Sequence, residues 1–170
     1  MSATTSSADN VCIVGCGRWL RTDDQAGLLV ARELQRTGLP RVRILLTEAP
    51  AMDLLNGLDG ISLLILVDAA RSDRDHRPGT WKKIDYLARR DRLKESGMND
   101  THGLGVEFAL SLAREIGGLP PDVWIYAVAA AECGYGEQVT PEIEHAIRIL
   151  TRWIPTDIQA WRATMEHGNA

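Results

Sequence analysis

A chain of 170 residues fits one domain and is long enough to bury roughly two thirds of the surface that its unfolded form exposes. Its 23 acidic and 19 basic residues are spread along the whole length and leave a net charge of -4, which excludes an electrostatic footprint for nucleic acid or an anionic membrane. The longest unbroken aliphatic run, Leu63 to Val67, is too short to cross a bilayer, and the polar opening MSATTSSADN lacks the apolar core of a secretory leader.

The expectation is a soluble, cytoplasmic protein with a flexible tail over residues 1–10 and a single domain over 11–170. Cys12, Cys16 and Cys133 form no C-x-x-C pair, and their odd number argues against a disulfide framework. They read as reduced, small apolar residues. A nucleophilic Cys16 would need a base beside it in the fold, and no cysteine-hydrolase signature is present.

Taken in chain order, VCIVG from Val11 predicts a buried strand, because it is short, aliphatic and ended by a glycine turn. Asp24 to Thr37 predicts a helix with Ala26, Leu29, Val30 and Leu34 on its core face, opened by a capping box of Thr22 and Gln25. VRILL from Val42 and SLLILVD from Ser62 predict the second and third strands, the latter ending at Asp68. From Arg71 to Asp100 half the residues are charged, nine basic and six acidic, which predicts an exposed excursion with one less apolar edge strand in GTWKKID. The sharper reading of that excursion is a docking surface or flap beside a site.

Thr101 to Ile116 predicts a helix with Leu104, Phe108, Leu112 and Ile116 on one face, and VWIYAVA from Val123 a fourth buried strand. A last helix runs from about Pro141 to Trp153, with Pro155 breaking it before a shorter terminal one. Strands alternating with helices predict a three-layer α/β/α sandwich: a mostly parallel, twisted sheet of about five strands with helices on both faces.

Chemistry concentrates where the first strand ends, in VCIVGCGRWLRTDDQAG. Gly15 and Gly17 match the start of a dinucleotide fingerprint G-x-G-x-x-G, but its third glycine is replaced by Leu20. Glu48, after the second strand, stands where a ribose-binding acid would. Against a phosphate, Asp23 and Asp24 place two negative charges at the helix start, where an anion would otherwise be favoured. Either acid alone is explained by ordinary helix capping, as Asp68 alone is explained by a turn.

Together they say more. Ligands of parallel sheets bind outside the carboxyl ends of the strands, and Asp24 and Asp68 both fall on that rim. His102 opens the helix after the charged excursion, where the positive helix end favours the neutral imidazole that a metal requires. Two carboxylates and one imidazole suit a borderline ion such as nickel or zinc, with positions left open for substrate.

At these residues the chain resembles the hydrogenase maturation endopeptidases, which trim the large subunit of nickel-iron hydrogenases. The matching stretches are IVGCGRWLRTDDQAG at Ile13, LLILVDAA at Leu63 with PGT at Pro78, THGLG at Thr101, and GEQVTPEIEHAI at Gly136, in the family's order over about residues 11 to 150. The resemblance implies a compact α/β/α protease that removes a C-terminal peptide from the precursor once nickel has been inserted. Nickel would come with that precursor, as the recognised part of the substrate, and no organic cofactor is implied. The family's metal-contacting acids fall on Asp24 and Asp68 and its histidine on His102, which makes these three the candidate catalytic and metal-engaging residues.

The chain departs from the family's pattern at Arg18, where asparagine is common, and in LLTEAP, where many members carry Asp-Gly-Gly. A carboxylate sometimes assigned to cleavage aligns there with Leu46, two positions before Glu48. Two alternatives stand beside the protease: a nucleotide or small-ligand binding module using the Gly15 and Gly17 loop, and a related peptidase acting on another precursor. Trp19 and Trp81 are candidates either for partner contact or for core packing.

Overall fold

A computed structural model describes residues 10–55, 57–72, 74–88 and 104–167. Its strands are β1 (Val11–Cys16), β2 (Val42–Thr47), β3 (Leu63–Arg71), β4 (Trp81–Asp85) and β5 (Asp122–Ala130). The helices are α1 (Ala26–Thr37), α2 (Pro50–Leu55), α3 (Leu104–Glu115) and α4 (Pro141–His167). The sheet order is β2-β1-β3-β5-β4, parallel except for β4, which pairs antiparallel with β5. GTWKKID therefore supplies the expected edge strand.

Alternation along each central strand divides the core in two. Val11 and Ile13 of β1, Leu63, Ile65 and Val67 of β3, and Trp124, Tyr126 and Val128 of β5 face one side, where α1 and α4 cover them. Cys12, Val14 and Cys16, with Leu64 and Leu66, face the other side, which α2 and α3 cover. Both faces are buried, and for that reason these strands read as continuous apolar runs rather than alternating ones. The three layers expected from the sequence are present.

Several expectations need correction. On α1, Leu28 is buried and Leu29 only half-buried. On α3 the core face is Val106, Ala109, Leu110 and Ala113, while Phe108 and Ile116 are exposed. The two faces have the same helical period, and α3 approaches α2 closely enough that the smaller side chains take the inside.

Pro155 does not end the last helix, which continues to His167. A mid-helix proline removes a donor and costs about 3 kcal/mol. Ile143, Ala146, Leu150, Ile154, Ile158 and Trp161 form one buried stripe in phase across it, and burying each large apolar side chain contributes about 1.5–3 kcal/mol. A break would withdraw the last two from the core, so the stripe prevails. Beyond the proline, Trp161 Nε1 donates to Asp122 Oδ2 at 2.9 Å, and the Arg162 guanidinium donates to the carbonyls of Pro40 and Arg41 at 3.0 Å.

Trp81 belongs to the fold. Its ring packs against Tyr126 and Trp153 with centroids 5.9 and 5.7 Å away, and Lys83, two residues along β4, pairs with Asp157 of α4 at 2.8 Å. None of the helices among the described residues is long and apolar enough to cross a membrane.

Candidate functional site

From β1 the chain turns one way to β2 and the other way to β3, so the strand order reverses between β1 and β3. The carboxyl ends of those two strands frame the crevice in which α/β sheets hold ligands. The sequence packs α1 tightly against this end. A Cβ on Gly27 would lie 2.1 Å from the Val67 carbonyl oxygen and 2.3 Å from that of Cys16, and one on Gly15 would lie 2.3 Å from the Gly27 carbonyl oxygen. Gly17, at φ +152°, leads into the following turn, where any side chain would meet the Asp24 carbonyl oxygen.

The glycines are thus accounted for by close backbone approach within the chain. Gly27 performs the helix-packing role that the fingerprint gives to its third glycine, and no phosphate is needed to explain the loop. Glu48 is likewise engaged internally, accepting a hydrogen bond from the Trp19 N–H at 2.8 Å.

Between Gly17 and α1 the chain forms a 3-10 turn, Thr22–Gln25. It is not a capping box. The Thr22 hydroxyl donates to the Glu132 carbonyl at 2.9 Å, and the Gln25 amide donates to the Glu137 carbonyl at 2.8 Å. Asp23 does not cap α1 either: it is fully buried, and its carboxylate accepts from the N–H groups of Ala131 (2.9 Å), Glu132 (3.0 Å) and Thr140 (2.8 Å) and from the Thr140 hydroxyl (3.1 Å). Backbone bonds from Thr22 to Gly136 and from Gly136 to Leu20 complete the clasp.

This clasp escaped the sequence reading. Its partners lie more than a hundred residues apart, and the stretch GEQVTPEIEHAI carried only a resemblance and no physical role. Its effect is to fix the turn that bears Asp24.

Asp68 lies within β3 rather than at its end, paired with Ala127 of β5, because Ala69 to Arg71 continue the ladder. Its Oδ1 accepts from the Ala69 N–H at 2.9 Å. Burial, opposed by that hydrogen bond and reinforced by the negative charge of Asp24, pushes the Asp68 carboxyl up to about 7. Asp24 and Asp68 therefore share one electrostatic environment across the crevice. His102 lies outside the described residues, two positions before the start of α3. Among the described residues no group of three or more histidines, cysteines and acids is placed to hold a metal ion.

Two thiols border the pair. Cys16 is buried, and its thiol is pushed well up by burial and then by the charges of Asp68 and Asp53, which leaves it a poor nucleophile. Cys133 is exposed, and its thiol is raised by partial burial of the sulfur and by Asp24 and Asp23, against the lowering influence of Arg71 and Arg21. Chemically, the crevice offers carboxylate oxygens, one of them holding a proton near neutral pH. Such oxygens can coordinate a cation or orient water.

Comparison with known proteins agrees. The sequence model of the family described as HycI, hydrogenase maturation protease, matches residues 28–155. The fold is similar to the NiFe hydrogenase maturation protease HybD from Thermococcus kodakarensis, with a TM-score of 0.72 and 21% identity over 86% of this chain and 97% of that one. It is also similar to the hydrogenase maturating endopeptidase HybD from E. coli, with a TM-score of 0.71 and 22% identity over 89% and 93%. For the maturation protease HycI from Thermococcus kodakarensis KOD1 the TM-score is 0.64 and the identity 24%, over 89% and 93%. No curated protein gives a significant sequence match. By its family match over three quarters of its length, the chain belongs to the hydrogenase maturation protease family.

Proposed function

We propose that this protease removes the C-terminal extension of a nickel-iron hydrogenase large-subunit precursor in the cytoplasm, and that it acts only after nickel has been inserted. Asp24, Asp68 and His102 engage the nickel, which arrives as part of the substrate. The observation that carries this reading is the burial of Asp68 at the switch point of the sheet, where the charge of Asp24 adds to the effect of burial in raising its carboxyl. Two carboxylates held together by a rigid frame favour a cation between them, and a cation displaces the proton that Asp68 otherwise retains near neutral pH.

In this mechanism the chain contributes position and charge. The clasped turn fixes Asp24, β3 fixes Asp68, and their oxygens grip the ion so that the neighbouring peptide bond lies in the crevice. The ion polarises that bond's carbonyl or activates the attacking water. A precursor without nickel offers nothing to grip, so trimming depends on the state of the substrate.

The test is incubation of the purified protease with nickel-loaded and nickel-free precursor, read by intact-mass spectrometry. Trimming of the loaded form alone is expected, and it should be abolished in Asp24→Asn and in His102→Ala. Equal trimming of both forms would defeat the nickel requirement and favour a peptidase of another specificity.

A further inference from the structure

Resting on that function, we propose that Glu48 is a positioning residue: from the end of β2 it holds the turn that carries Asp24, and so fixes where that carboxylate meets the substrate's nickel. Its Oε1 accepts from the N–H of Trp19, 29 positions earlier in the chain, at 2.8 Å. The backbone on both sides of Glu48 is tied down. Thr47 before it pairs with Cys16 in the last rung between β1 and β2, and the Thr47 hydroxyl accepts from the N–H of Ala49 after it at 2.9 Å.

The sheet order makes this hold complementary to the Asp23 clasp. Along β2-β1-β3-β5, Glu48 acts from the β2 side, whereas the loop that binds Leu20, Thr22 and Asp23 follows β5 on the other side. The turn is strung between them across the carboxyl ends of β1 and β3, where Asp24 and Asp68 face one environment. One tether alone leaves a turn free to pivot; two opposed tethers fix it.

The backbone next to Trp19 is strained. Leu20 at φ +60° and Thr22 at φ +42° both take left-handed conformations that side chains disfavour, and Thr22 is β-branched, the least suited of all. Such residues persist only where their surroundings over-determine them. Released at Trp19, the turn relaxes toward ordinary conformations and carries Asp24 with it. The bond to Glu48 lies at the surface, so water replaces the lost acceptor and the stability of the whole fold changes little. The consequence falls on the site, where a misplacement of about 1 Å can cost about a hundredfold in rate.

The experiment compares full-length wild type, Glu48→Ala and Glu48→Gln in three measurements: kcat/KM for trimming nickel-loaded precursor, melting temperature, and amide hydrogen exchange of the free protease followed by NMR. Glutamine keeps an oxygen for the Trp19 N–H but no charge. Glu48→Ala is expected to lower kcat/KM about tenfold or more while its melting temperature moves by less than about 3 °C. The Thr22 and Asp24 amides, which donate to the Gly136 and Arg21 carbonyls, should exchange about tenfold faster in that variant. Glu48→Gln should stay close to wild type in all three. Unchanged trimming in Glu48→Ala, or unchanged exchange at Thr22 and Asp24, overturns the proposal. Glu48→Gln as impaired as Glu48→Ala also overturns it, since charge would then act in place of the hydrogen bond. If wild type itself does not trim the loaded precursor, the function fails, and exchange in the free protease still decides whether Glu48 fixes the turn.

Discussion

Asp68 holds its proton up to about pH 7 because it is withdrawn from water and because Asp24 sets a second negative charge beside it across the carboxyl ends of β1 and β3. A carboxyl whose folded pKa is raised binds more protons folded than unfolded. Its contribution to stability is therefore full at acidic pH and is lost as pH rises from the usual carboxylate range, near 4, through 7. Asp68→Asn should raise stability at pH 8 by on the order of 2 kcal/mol and leave it nearly unchanged at pH 4. Urea denaturation at the two pH values checks this, and an equal effect at both would contradict the electrostatic origin.

The buried Asp23 carboxylate contributes through the hydrogen bonds it accepts. Asp23→Ala leaves three N–H groups and a hydroxyl, all gathered on one buried carboxylate, without their acceptor and should destabilise the fold by about 3 kcal/mol. Thr140→Ala removes only the hydroxyl and should cost about 1 kcal/mol. Chemical denaturation of both variants tests that ranking.

At Gly27, alanine brings better helix propensity, worth about 1 kcal/mol, against a Cβ placed 2.1 Å from a carbonyl oxygen of β3. The clash wins, and Gly27→Ala should lose about 3 kcal/mol or fail to accumulate as soluble protein. Gly38, at the end of α1 with φ +65° and open space around it, should tolerate alanine for about 1 kcal/mol. Thermal melts of the two variants distinguish a steric demand from a conformational one.

Pro155 is a stabilising opportunity. Alanine restores the missing backbone donor without touching the buried stripe, and Pro155→Ala should raise the melting temperature by roughly 2–4 °C for each kcal/mol regained. A lower melting temperature would show that the helix is shaped around the proline.

Much of the fold was legible because buried parallel strands announce themselves as short aliphatic runs, and the edge strand β4 announced itself by being less apolar. The faces of α3 were not, since Val106 and Phe108 serve equally well in a periodic pattern and only the approach of α2 decides between them. Pro155 misled for the opposite reason: a local rule was applied where the stripe from Ile143 to Trp161 already contradicted it. Asp24 and Asp68 could be gathered on one rim from the sheet rule alone. Asp23 could not be assigned, because whether an acid beside a helix caps it or reaches into a distant loop depends on partners at Ala131 and Thr140 that no local spacing reveals.

The tie between the turn at Asp23 and the loop before α4 also orders events in time. Contacts between segments so remote in the chain carry a large loop-closure entropy and form only after the intervening strands have docked. During synthesis the glycine turn leaves the ribosome early, yet the loop that holds it is made only after β5. A chain interrupted before that point can build much of the sheet while Asp24 stands on an untethered turn, so on the proposed function competence to grip substrate arrives at the end of folding.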